Sequence, residues 1–168
     1  IEMLSFSSLM RYLGTKQRSL EERPAERLYQ SILQASRQPN IYIKFELHDH
    51  LDSRFDMLCL HVSLLMERLR MLPEDVHKPL NQELFDRFFA DMDFTLREMG
   101  VGDLGVGKRV RKMSEAFMGR LLAYTKSLER NDKTELVLVL ARNIRRSRDC
   151  NDADRRMADY VLESRDRL

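Results

Sequence analysis

An all-α, single-domain bundle of about six or seven helices is predicted by three features of this sequence. Its 168 residues include 6 glycines and 4 prolines, too few for the turns that an all-β chain of this length requires. Apolar residues recur at three- and four-residue steps through long uninterrupted stretches. Those stretches are rich in Leu, Met, Arg and Glu, which lose little rotamer freedom in a helix. The length suits one domain with a core large enough to fold alone.

Residues 1–20 are expected to form a short N-terminal helix or flexible lead-in, because Met3, Phe6, Met10 and Leu13 stand at helical spacing. The helical domain proper is expected over 21–168. Pro24 opens its first helix, where a missing N–H costs nothing, and Leu28, Tyr29, Ile32 and Ala35 share a face up to Pro39. The stretch "NIYIKFELHDHL" alternates Ile41, Ile43, Phe45 and Leu47, which predicts an extended segment near 40–51 laid across helices. Asp52 or Ser53 can cap a helix over 53–72. Its residues Phe55, Met57, Leu58, Cys59, Leu60, Val62, Leu64, Leu65, Met66 and Leu69 make it apolar on most sides, the mark of a central buried helix.

The stretch "PEDVHKP" reads as a loop. A helix over 80–99 follows, with Leu84, Phe85, Phe88, Phe89, Met92, Leu96 and Met99 on one face. Gly100 and Gly102 stop it, and Gly105 and Gly107 let the chain reverse. Val106, Val110, Met113, Phe117, Leu121, Tyr124 and Leu128 then predict a helix over about 106–130. "TELVLVLARNIRRSR" is locally β-rich but reads as helix in this company, and "DADRRMADYVLESRDRL" closes the chain as an amphipathic helix.

Several function classes are excluded at this level. Cys59 and Cys150 are too few for a disulfide framework and suit a reducing compartment. The longest apolar run, "MLCLHVSLLM", falls well short of the roughly 18 residues of a membrane span. With no secretory signal pattern at its start, the chain is expected in the cytoplasm. Charge is unevenly spread: residues 1–105 carry 13 Lys or Arg against 17 Asp or Glu, and residues 106–168 carry 16 against 10. Any attraction for an acidic partner therefore resides in the C-terminal part.

Gly102-x-x-x-x-Gly107-Lys108 matches the opening of a phosphate-binding loop. Its context does not, because a helical pattern precedes it and Arg109 stands where Ser or Thr would hold magnesium. A different oddity remains. Lys108, Arg109, Arg111 and Lys112 crowd the first turns of a helix, where each unpaired cation costs about 0.3–1 kcal/mol. Asp91, Asp93, Glu98 and Asp103 can offset them from within the chain, solvent can, or an acidic partner can from outside; with Arg97, these nine residues form the candidate partner-binding surface.

His48, Asp49, His50 and Asp52 offer at most one side of a metal site, with no second His or Cys cluster to complete it. Cys59 and His61, two apart on a helix, point away from each other. Neither an enzyme, a cofactor, a metal nor a small-molecule substrate is expected. Arg142, Arg145, Arg146 and Arg148 make a secondary basic patch suited to RNA or anionic lipid, though no aromatic residues interleave. An RNA- or ribosome-binding module, or a peripheral membrane adaptor, is the alternative function class.

"DSRFDMLCLHVSLLMERLR" (52–70) and "LFDRFFADMDFTLREMGVGDLGVGKRVRKMSEAFMGRLLAY" (84–124) resemble the ubiquinol–cytochrome c chaperone family. The most specific part is Phe89-Ala90-Asp91-Met92-Asp93, then Leu96 through Asp103, then Lys108-Arg109-Val110. The resemblance runs from about residue 24 to the last helix. It implies a helical, non-enzymatic assembly factor that binds newly made cytochrome b, or an early reductase intermediate, near the ribosome and the membrane. Gly105 and Gly107 depart from the Ser and Pro that relatives often carry there. Mitochondrial relatives have longer N-terminal targeting regions, so a bacterial member is expected, cytoplasmic or at the inner face of the membrane.

Overall fold

The computed structural model describes residues 23–167. The expected helix over 1–20 lies outside them. Seven α-helices occur among the described residues: α1 (Pro24–Ser36), α2 (Pro39–Lys44), α3 (Leu51–Leu69), α4 (Glu74–Glu98), α5 (Asp103–Glu129), α6 (Lys133–Leu140) and α7 (Asp152–Arg167). A π-helical turn, Ala141–Arg145, extends α6. The described residues contain no strand, and no helix among them is long and apolar enough to cross a membrane.

Helix α3 is the axis of the molecule, as its apolar residues on most sides predict. Leu58, Cys59, Val62, Leu65 and Leu69 face a core shared with α1, α4 and α5, which holds Tyr29, Leu84, Phe88 and Phe117. Met57, Leu60 and Leu64 face a second core, shared with α2, α6, α7 and the far end of α5. In the first core Phe85, Phe88, Phe89 and Phe117 form a tilted and edge-on cluster, with centroids 4.6–6.0 Å apart. Such edge-to-face pairs contribute beyond the area they bury.

Several local expectations are corrected. Residues 39–44 are helical rather than extended. Pro39 sits at the first helical position, and Tyr42 and Phe45, three apart, turn inward together while Ile43 is 75% exposed. The Tyr42 hydroxyl donates to the Ser36 carbonyl at 3.1 Å, which closes the α1–α2 corner. Only the stretch after Phe45 lacks helix, and Glu46 there has φ +55. Helix α3 starts at Leu51 and is capped by neither Asp52 nor Ser53: the His50 ring nitrogen Nδ1 accepts from the Ser53 N–H at 3.2 Å.

The "PEDVHKP" stretch is also helix, because Glu74 and Asp75 complement the positive end of α4. Pro79 removes one backbone bond within it, tolerable where Asp75 is exposed and its carbonyl can be hydrated. Helix α5 begins at Asp103, so Gly105 and Gly107 lie inside it and the reversal falls on Met99–Gly102. Helix α6 is shorter than expected, and the π-helical turn that extends it ends where Arg146 takes a left-handed conformation, φ 57.

Candidate partner-binding surface

The α4–α5 hairpin end is built by a short backbone motif. The Gly100 N–H donates to the Arg97 carbonyl at 2.9 Å, and the Val101 N–H donates to the Leu96 carbonyl at 3.1 Å. With Gly100 at φ +80, this is a Schellman stop, and only glycine takes that backbone without strain. Val101 then packs so closely on Gly105 that a Cβ there would meet Val101 Cγ1 at 3.0 Å.

Arg97 fastens the same turn. Its Nε donates to Asp93 at 2.5 Å one helical turn back, and its Nη1 reaches Asp103 at the start of α5. These bonds hold the Arg97 guanidinium above its ordinary range. Asp93, Arg97 and Asp103 are thus brought together as an exposed clamp across the hairpin. Exposed ion pairs contribute little to stability individually, but one shared guanidinium fixes the direction in which the turn points.

The four cations stand just beyond. Because α5 begins at Asp103, they fall in its second and third turns, outside the reach of the helix dipole, and the acid in the first turn is Asp103 itself. The expected dipole cost is corrected accordingly. Arg111 pairs with Glu115 at 3.1 Å. Lys108, Arg109 and Lys112 are exposed and make no ion pair among the described residues; Glu98 is likewise exposed without one.

Asp91 lies apart from this group. It is half-buried against α1, accepts the Tyr29 hydroxyl at 2.8 Å, and lies 3.5 Å from Arg87. Arg87 in turn donates to Glu26 at 2.7 Å and covers the Tyr29 ring. Burial, and then the Asp91 charge, push the Tyr29 hydroxyl well above its ordinary range. Asp91 therefore ties α1 to α4.

Apolar side chains complete the surface, and sequence reasoning did not single them out. Phe94 is 61% exposed and Leu104 is 96% exposed. Met99, expected on the core stripe, is exposed too, because it is the residue that ends α4. A signal for Phe94 existed: two residues past Met92, it falls on the face opposite the four-step core stripe. Phe94 near the end of α4, Met99 at its cap and Leu104 in the first turn of α5 flank the braced turn, and with the unpaired cations of α5 they can receive an apolar segment with an acidic flank.

The secondary basic patch divides. Arg145 is bidentate on the fully buried Asp154, at 2.7 and 2.5 Å. Arg146 donates to Asp52 at 3.0 Å and to Asp56 at 3.2 Å. Both tie the π-turn to neighbouring elements, and Arg142 and Arg148 remain exposed. Arg145 and Arg146, with His48, His50, Asp52 and Asp56, line a cleft of about 290 Å³. Elsewhere, burial pushes the Cys59 thiol far above its ordinary range, and both His61 ring nitrogens are engaged, Nδ1 with the Met57 carbonyl and Nε2 with Tyr160.

The architecture is a helical body with one braced end that carries exposed apolar and basic side chains. Residues 44–168 match the family described as ubiquinol-cytochrome C chaperone. The chain belongs to that family. It is similar to the Cbp3 homologue from Brucella abortus, known from a crystal structure, with 36% sequence identity and a TM-score of 0.78. That similarity covers 94% of this chain and 86% of the other. No curated protein sequence matches it.

Proposed function

We propose that the chain is a non-enzymatic chaperone in the assembly of ubiquinol–cytochrome c reductase. Its client is newly made cytochrome b, or an early intermediate containing it. The observation that carries this reading is the α4–α5 end: Phe94, Met99 and Leu104 exposed on either side of a turn held by Arg97, with Lys108, Arg109 and Lys112 following in α5. This end lies within the stretch matched by the family. A membrane-protein client emerging from the ribosome offers apolar segments flanked by charge, which such a surface suits. The work is done at the inner face of a bacterial cytoplasmic membrane.

The test is a tagged pull-down from the native membrane fraction, with brief crosslinking and mass spectrometry. Cytochrome b is expected to be enriched over the other reductase subunits, and the Phe94→Ser, Met99→Ser double variant to lose that enrichment. Recovery of ribosomal proteins or lipid alone would overturn the cytochrome b assignment in favour of an RNA-binding or membrane-adaptor role.

A further inference from the structure

The solvent face of α5 carries a second pattern. Leu104, Lys108, Arg111, Glu115, Met118 and Leu122 follow one another at steps of four, three, four, three and four. That is the spacing of the a and d positions of a coiled coil, here apolar at Leu104, Met118 and Leu122 and charged between them. All six side chains are exposed, Met118 at 52% and Leu122 at 56%. The row is apolar at both ends and charged in the middle.

Its symmetry identifies the partner. Laid against itself in the opposite direction, the row brings Leu104 to Leu122, Lys108 to Met118 and Arg111 to Glu115, and each pairing occurs twice. The leucines meet leucines, the lysine stem can lie along methionine with its ammonium in water, and each guanidinium meets a carboxylate. A parallel arrangement would instead set Arg111 on Arg111 and Glu115 on Glu115. Self-complementarity under reversal is what a two-fold interface requires.

We propose that α5 pairs antiparallel with α5 of a second copy of this chain. The seam spans eighteen helical steps, roughly 27 Å, so the contact belongs to the small class of interfaces that form reversible dimers. Leu104, Lys108 and Arg111 also belong to the hairpin surface. On the chaperone reading, a second copy therefore covers part of the client surface, and client and copy compete for it.

Sedimentation of the purified chain over a range of concentrations tests the pairing. The wild type is expected to pass from monomer to dimer as concentration rises. Arg111→Glu alone and Glu115→Arg alone should each remain monomeric, since each sets like charges opposite one another. An equimolar mixture of the two should dimerise again, because every reversed side chain then meets its opposite in the other copy. Like charges four apart within one helix are not relieved by mixing, so the recovered dimer reports cross-chain pairs alone. Leu122→Lys should abolish the dimer while leaving the melting temperature within a few degrees.

A wild type that stays monomeric throughout would overturn the proposal. A dimer indifferent to the charge reversals would overturn the register. No client is present in this experiment, so its failure would leave the chaperone reading standing, and loss of cytochrome b capture would leave the dimer standing.

Discussion

Tyr160 on α7 and His61 on α3 lie 2.7 Å apart, hydroxyl to Nε2, and join two helices ninety-nine residues apart in sequence. The other ring nitrogen lies 2.8 Å from the Met57 carbonyl, which can only accept. His61 thus carries its proton on Nδ1, and Nε2 accepts from the tyrosine. Burial holds its pKa below the ordinary value. The unfolded chain protonates His61 below about pH 6.5 while the folded chain resists, so unfolding takes up a proton and stability falls as pH drops through that value. Melting at pH 7.5 and pH 5.5 is expected to differ less in His61→Gln than in the wild type. Tyr160→Phe removes one hydrogen bond and should cost about 1 kcal/mol.

Asp56 is fully buried and accepts from Arg120 at 2.8 Å and Arg146 at 3.2 Å. Removing the carboxylate strands a largely buried guanidinium on α5. Asp56→Ala should therefore cost about 3 kcal/mol, roughly 10 °C in Tm for a chain of this size. Arg146→Ala should cost much less, since that side chain is half exposed. Thermal unfolding of the two variants side by side checks the order.

Two glycines are expected to respond in opposite directions. Gly100→Ala forces a β-carbon into the left-handed region and should destabilise by about 1–2 kcal/mol. Gly119 sits within α5 with open space around it, so Gly119→Ala should stabilise by roughly 0.5–1 kcal/mol. Denaturant midpoints at unchanged slope would report both.

Reversing Lys108, Arg109 and Lys112 to Glu removes no ion pair present among the described residues. The fold should keep its stability within about 0.5 kcal/mol, while capture of the client falls several-fold. Undiminished capture by a well-folded variant would remove these cations from the binding surface.

Legibility in the sequence followed the range of the interaction. Helix α3 could be read because its burial is written in its own residues, apolar on most sides. The 40–51 stretch misled because Ile41, Ile43, Phe45 and Leu47 alternate, whereas the three-residue step from Tyr42 to Phe45 proved to be the inward one. Lys108, Arg109, Arg111 and Lys112 announced themselves as a cluster, but the start of α5 at Asp103 decided what they cost. The tasks of Asp91, Arg145 and Arg146 were not readable, because Tyr29, Asp154 and Asp56 reach them through the fold and leave no local pattern.

Because α3 is a wall common to both cores, neither half of the molecule has a complete interior without the other. Amide protons near Leu60 and Val62 should then exchange only when the whole chain unfolds, and more slowly than those at the exposed start of α4. A fragment ending before α6 would leave Met57, Leu60 and Leu64 facing water and should fail to accumulate. On the proposed chaperone reading, capture and release would then take place on the outside of this body, at a rate set by surface contacts rather than by unfolding.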